Sequence, residues 1–173
     1  MEHDELKKYI HDVPDFPKPG IVFKDIAPLL ASAKARTAAV DLLLKEVENL
    51  KIDTVVGIES RGFLLGTLLA DRLGAKFVMV RKPGKLPGDL ERMPYQLEYG
   101  YDTLEIQEHA IAKGEKVLIH DDVLATGGTV SAAADLVEKV GGEVVALNFL
   151  MELSFLNGRK KIKSHKVLPL IKF

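Results

Sequence analysis

Residues 117–129, VLIHDDVLATGGT, constrain the fold of this chain more than any other stretch. The apolar run Val117-Leu118-Ile119 reads as a buried strand, extending to His120. Asp121 and Asp122 stand at its C-terminal end, and the small-residue turn Ala125-Thr126-Gly127-Gly128-Thr129 follows. Val130 to Val140 is helical by composition. A strand, an acidic pair, a Gly/Thr loop and a helix N-terminus thus come in that order. Such a loop offers several backbone N–H groups to an anion, and the helix dipole favours negative charge there. The two carboxylates accept hydrogen bonds from sugar hydroxyls. One stretch therefore combines a phosphate cradle with a ribose clamp. It is neither a GxxxxGK[ST] nor a GxGxxG loop, so a nucleoside triphosphate or a nicotinamide dinucleotide is not the implied ligand.

The rest of the chain supplies the framework around this unit. Glu2 to Ile10 reads as a short helix, and residues 12–20, with three prolines and a glycine, as an ordered loop. Ile21-Val22-Phe23 is a brief extended piece. Ser32 caps a helix running to about Asn49, with Ala35, Ala38, Ala39, Leu42, Leu43 and Val47 on one face. Thr54 to Ile58 and Lys76 to Val80 read as strands, with a helix from Gly62 to Leu73 between them, closed by Gly74. Lys82 to Met93 has no periodicity and reads as a mobile loop, and Tyr95 to Ile106 alternates like an antiparallel hairpin or flap. Val144 to Met151 is a fourth strand and Lys166 to Ile171 a fifth. Strands alternating with helices imply right-handed crossovers, a largely parallel sheet and ligands at its C-terminal edge. The loops starting at Glu59, Lys82 and Asp121 all follow strands and belong on that edge.

The composition narrows the chemistry. With 173 residues, 47% of them hydrophobic, the chain is long enough for one domain with a real core. A net charge of -1 implies no general attraction to nucleic acid or membrane, and no spare segment reads as a DNA-binding domain. There are no cysteines, which excludes disulfides, thiolate catalysis and Cys-ligated metal. The N-terminus lacks a signal-peptide apolar core, and no apolar run is long enough to span a membrane. The histidines, His3, His11, His109, His120 and His165, show no metal-ligand spacing, and His120 reads as a packed residue.

Some other residues carry two readings each from the sequence alone. Glu59-Ser60-Arg61 forms a strand–helix turn whose Arg fork suits pyrophosphate, or is an ordinary turn with a surface Arg. Arg81, Lys82 and Lys85 form a solvated cationic surface or a pyrophosphate clamp on a closing loop. Phe23 is a core residue or a ring that stacks on a flat base. Glu98 reads as an exposed residue on the polar side of the flap, and Tyr99 and Tyr101 as cover for the core.

Five motifs occur in order: D-x-P-x-F-P-x-P-G-I-x-F-K-D-I, I-E-S-R-G-F, R-K-x-G-K-L-P-G, Y-x-L-E-Y-G and the 117–129 stretch. The last resembles the signature of the type I phosphoribosyltransferases, which bind 5-phosphoribosyl-1-pyrophosphate (PRPP). Together the five resemble the adenine phosphoribosyltransferase family over nearly all of residues 1–173. The resemblance implies the α/β type I phosphoribosyltransferase fold, with a mostly parallel central sheet flanked by helices. It implies one domain over 1–173, with a small N-terminal base-binding hood over 1–31 and a flexible loop and flap over 82–106. It further implies that adenine and PRPP give AMP and pyrophosphate in purine salvage, with Mg2+ held mainly by substrate oxygens and no direct protein ligand. A cytoplasmic homodimer is expected, with no nucleic acid or membrane partner.

The resemblance also distributes roles. Ala125, Thr126, Gly127, Gly128 and Thr129 would cradle the 5′-phosphate, and Asp121 and Asp122 would hold the ribose hydroxyls. Arg61 and the backbone of Glu59 and Ser60, with Arg81, Lys82 and Lys85 nearby, would meet pyrophosphate. Adenine would lie between Phe23 and Val123, its edge read by backbone groups of Val22 and Lys24. Relatives acting on 6-oxopurines commonly carry an Asp facing purine N7 where Ala125 stands, so the resemblance points to Glu98 as general acid/base. His120 replaces the usual aliphatic residue, Glu59 a frequent Asp, and Lys24 a frequent Arg. Two alternatives stay open: the same fold acting on another purine base, and a PRPP-binding regulator without catalysis.

Overall fold

The computed structural model describes residues 1–96, 100–162 and 165–173, and in it the apolar run at Val117 forms the central strand of a five-stranded parallel sheet. The strands are β3 (Thr54–Ile58), β4 (Lys76–Val80), β7 (Lys116–Leu124), β8 (Glu143–Glu152) and β9 (Val167–Lys172), in the order β4-β3-β7-β8-β9. Helix α4 (Gly62–Leu73) connects β3 to β4, and α5 (Gly128–Lys139) connects β7 to β8. Two antiparallel hairpins form separate small sheets: β1 (His11–Pro14) with β2 (Val22–Asp25), and β5 (Leu90–Gln96) with β6 (Tyr101–Gln107).

Strand period places alternate side chains on opposite faces of the sheet. Val117 and Ile119 pack with Ala133, Leu136 and Val137 of α5 and with Leu104 and Ile106 of β6. Leu118 packs on the other side with Val55, Ala70 and Ala146. A third cluster joins Leu6 of α1 (His3–Lys7), Leu29 of α2 (Ala27–Ala31) and Ala35, Ala39 and Leu43 of α3 (Ala33–Lys45) to Leu65, Leu69 and Leu150. The Ser32 hydroxyl accepts the Ala35 N–H at 3.2 Å, so the expected cap starts α3. Strands β3 and β4 and helix α4 have the bounds read from the sequence, because each is a continuous apolar segment between clear breakers.

Several expectations are corrected. Strand β7 does not stop at His120: it continues through the acidic pair to Leu124, paired with β8 at Asp121↔Phe149 and Val123↔Met151. The backbone ladder tolerates polar side chains at a strand end that opens on a cavity. Part of the stretch read as a loop over 82–93 is strand, since β5 begins at Leu90. Met93 and Tyr95 pack on the core, while Pro94 is tolerated in a two-stranded ribbon, where an edge position needs no N–H donor. Tyr101 does not cover the core; it is 77% exposed at the start of β6. The start of the proline-rich segment at 12–20 is strand β1, paired through Val13↔Phe23. Helix α1 is shorter than the stretch read from Glu2 to Ile10, ending at Lys7. Helix α3 ends at Lys45 rather than near Asn49, and the short α2, with its proline in the first turn, precedes it.

His120 is fully buried, as its packed reading requires. Its Nδ1 lies 2.8 Å from Asn148 Oδ1, and its Nε2 has no partner among the described residues. Burial pushes the imidazole down to about 4, the hydrogen bond with Asn148 opposing this. The unfolded chain therefore binds a proton near pH 6.5 that the folded chain refuses until about pH 4. Stability from this residue is complete above pH 6.5 and is lost as pH falls through that window, by about 3 kcal/mol in all. Urea unfolding of His120→Val should show a flatter stability profile between pH 6.5 and 4 than the parent chain. Parallel profiles would mean that His120 does not titrate with unfolding.

Candidate active site

Strands β4, β3 and β7 lie side by side, so the loops at their C-terminal ends share one edge. The β7 loop surrounds a cavity of about 140 Å³ lined by Asp121, Val123, Leu124, Ala125, Thr126, Gly127, Thr129 and Val130. Gly127 is the residue before α5, with φ +80, a conformation that side chains other than glycine's disfavour. Among the described residues no backbone carbonyl accepts from the N–H groups of Thr126 to Val130, whereas Ser131 N–H donates to Gly127 O at 3.1 Å. The α5 N-terminus therefore presents free donors and its positive dipole end beside this cavity.

The acidic pair divides its work. Asp122 is 3% exposed and forms an ion pair with Arg61, whose Nε lies 2.9 Å from Oδ2. The contact is not an aligned hydrogen bond, and Oδ2 has no other partner among the described residues. Asp121 lines the cavity, and its Oδ1 accepts the Asp122 N–H at 2.9 Å. Burial raises Asp121 well above the ordinary carboxylate range, and the charge of Asp122 adds to this. Burial raises Asp122 as well, with Arg61 pulling it back. Such a pair holds a negative charge most readily when a cation or a developing positive charge arrives beside it.

Arg61 joins this pair to the N-terminal hairpin. Its guanidinium lies 4.7 Å from the Phe23 ring centroid, and its Nη1 donates to Lys24 O at 3.2 Å. Phe23 also meets Phe16 in a T-shaped pair at 5.2 Å, and Arg61 covers one face of the expected base platform. Lys24 points away from the cavity, to Asp12 at 2.5 Å and over the Phe173 ring at 4.1 Å. Its side chain is thus free of the base-reading role expected of its backbone. Val22 is exposed on the same strand, and Val123 lines the cavity on β7.

The cationic residues are less alike than their sequence suggests. Arg81 makes a two-armed contact with Glu59, both N–O distances being 3.2 Å, and the Lys82 N–H donates to the same carboxylate at 2.9 Å. Burial pushes Glu59 up, but these donors hold it below its ordinary value. Glu59 therefore orients Arg81 rather than facing an anion. The Glu59-Ser60 peptide is cis. The Lys82 ammonium lies 3.2 Å from Asp102, which also accepts from the Tyr95 hydroxyl at 3.2 Å and the Thr103 N–H at 2.8 Å. Asp102 raises Lys82, and the Thr103 N–H followed by Lys82 lowers Asp102. Burial raises the Tyr95 phenol, and the Thr129 hydroxyl at the start of α5 opposes this. Lys85 is exposed, and its carbonyl accepts from Arg81 at 3.3 Å. Asp102 carries no site signal in the sequence and Tyr95 appears there only as the first residue of the Y-x-L-E-Y-G motif; the folded hairpin brings the two together. Glu98 and Tyr99 lie outside the described residues.

This sheet, with an acidic strand end feeding a glycine-rich loop at a helix N-terminus, has the architecture of a phosphoribosyltransferase domain. The family model described as the phosphoribosyl transferase domain matches residues 28–167. The adenine phosphoribosyltransferase of Geobacter metallireducens is 60% identical over 98% of this chain and 99% of its own. The crystal structure of adenine phosphoribosyltransferase from Thermoanaerobacter pseudethanolicus superposes with a TM-score of 0.97 at 51% identity, over 99% of both chains. That of the Giardia lamblia enzyme, complexed with 9-deazaadenine, gives 0.95 at 39% identity, over 100% of this chain and 98% of the other. The chain belongs to the adenine phosphoribosyltransferase family and has the type I phosphoribosyltransferase fold. No described helix is long and apolar enough to cross a membrane.

Proposed function

We propose that this chain transfers the 5-phosphoribosyl group of PRPP to N9 of adenine, giving AMP and pyrophosphate for purine salvage. The observation that carries this reading is the cavity shared by Asp121, Val123 and the free amides at the α5 N-terminus. The 5′-phosphate sits on the 125–129 loop, and the ribose hydroxyls donate to Asp121 and Asp122. As the C1′–O bond to pyrophosphate breaks, the leaving group takes the electron pair and positive charge builds on the sugar. The carboxylate pair stabilises that charge, and Arg61, Arg81, Lys82, Lys85 and the Glu59-Ser60 backbone receive the pyrophosphate. Arg61 must exchange its contacts with Asp122 and Phe23 for this role, which frees the ring face for the base. Adenine then lies between Phe23 and Val123, its edge read by the Val22 and Lys24 backbones. N9 forms the new bond to C1′, and Glu98 handles the proton at N7.

The residues fit a magnesium ion carried on substrate oxygens. Asp122 Oδ2 has no aligned donor, and Asp121 faces the cavity, so the pair adds hard negative charge beside such an ion without caging it. When bound, the ion neutralises the departing pyrophosphate. The enzyme acts as a homodimer in the cytoplasm. Turnover of PRPP with magnesium against adenine, hypoxanthine, guanine and xanthine tests the reading. AMP from adenine alone is the expected result. Turnover of an oxopurine instead would overturn the base site, and PRPP binding without turnover of any base would make the chain a regulator.

A further inference from the structure

The phosphate loop rests on a segment from the far end of the chain. Beyond β8, residues Gly158–Lys161 form a short 3-10 turn, and Gly158 is buried. A Cβ on Gly158 would stand 2.2 Å from Ala125 O and 3.1 Å from Gly127 N. A Cβ on Gly127 would stand 2.2 Å from Gly158 O. The two backbones therefore touch with no room for a side chain on either. Glu152, the last residue of β8 and 6% exposed, fixes the turn in this place. Arg159 donates to it through Nε at 2.7 Å and through Nη2 at 2.9 Å. Leu124 and Glu152 are paired at the ends of β7 and β8, and the next amide, Leu153 N–H, donates to Leu124 O at 2.9 Å. Ile162 closes the turn by entering the core that α5 shares.

We infer that Gly158, Arg159 and Glu152 are positioning residues for 5′-phosphate binding: the ion pair presses the Gly158 turn against Ala125–Gly127 and so aims the loop amides at the phosphate. This rests on the phosphate reading of the loop proposed above. A phosphate held by backbone donors depends on where the backbone is, because an amide cannot adjust as a side chain does. The two-armed Arg–carboxylate contact fixes both position and orientation, which a lysine cannot reproduce. Moving the turn disturbs the amide donors while leaving the pyrophosphate side, on the β3 and β4 loops, unchanged. That asymmetry separates positioning from general loss of fold.

Titration calorimetry of ribose 5-phosphate and of magnesium pyrophosphate, run separately on the parent chain, Gly158→Ala, Arg159→Ala and Arg159→Lys, tests the inference. Loss of one charge-assisted hydrogen bond corresponds to roughly 10- to 100-fold weaker binding. Gly158→Ala and Arg159→Ala should lose about that much affinity for ribose 5-phosphate, with Arg159→Lys between them and the parent, and pyrophosphate affinity within about twofold throughout. Unchanged ribose 5-phosphate binding in the variants would overturn the inference. So would equal losses for both ligands, which would mark a purely structural turn. Should Gly158→Ala fail to fold, the two Arg159 variants decide alone. A parent chain that does not bind ribose 5-phosphate would overturn the phosphate reading itself.

Discussion

Exchanging both carboxylates, Asp121→Asn with Asp122→Asn, is expected to lower kcat/KM for PRPP by roughly 10²- to 10⁴-fold, as two hydrogen bonds from sugar hydroxyls to charged carboxylates require. Each is worth about 1.5–3 kcal/mol, and each 1.4 kcal/mol is about a factor of ten. The larger part should fall on kcat, because the charge on the sugar develops in the transition state and amides do not answer it. The shape at the strand end should survive, since Asn is isosteric with Asp and the Asp121 carboxyl already receives an N–H from residue 122. Removing the Asp122 charge also releases Arg61 from its 2.9 Å ion pair, so the double variant should keep pyrophosphate affinity or gain some. Steady-state kinetics with circular dichroism as the folding control makes the measurement. Kinetics matching the parent enzyme would remove the acidic pair from the ribose clamp.

Glu98→Ala is expected to reduce turnover by about 10²- to 10⁴-fold, the usual reach of a positioned acid or base. PRPP binding should stay nearly intact, because the phosphate, ribose and pyrophosphate contacts proposed above lie on other loops. Ala125 supplies no acid at the position where relatives acting on 6-oxopurines carry an Asp, and the family resemblance then points to Glu98. Equilibrium binding of PRPP beside single-turnover measurements distinguishes chemistry from affinity. Unchanged turnover would take Glu98 out of the proton step, and equal losses in binding and turnover would make it a substrate ligand.

Much of the fold is legible locally. Strands β3 and β4 and helix α4 lie between breakers, and their apolar runs leave little choice of type. Local reading fails where polar residues enter a strand or proline sits in one. Asp121 and Asp122 have no reason to be in a strand until Arg61, far upstream, supplies a counter-charge across the sheet edge. Pro94 and the glycines before it hide β5, which needs β6 beside it to be a strand at all. The same distinction holds in the site. The 125–129 loop is contiguous with the acidic pair, so its backbone donors and acidic neighbours are visible together. The Glu59 carboxylate, by contrast, has no role legible in the sequence, and only the fold shows it orienting Arg81. Glu152, Arg159 and Gly158 have no motif to announce them.

The parallel α/β class, the strand–acid–loop–helix unit and the family resemblance are all written in short stretches of chain. Backbone propensity, capping and hydrophobic period act over a few residues and leave a readable trace there. Which charge meets which is a matter of assembly. Arg61 could have faced solvent, Asp122 or Phe23, and the order of β4, β3 and β7 brings it to the last two. The contact of Gly158 with Gly127 likewise exists only because β8 ends beside β7, where two glycines let the backbones touch. Side-chain pairing weakens with distance, and distance between remote residues is set by how the sheet is put together, so no local stretch carries it.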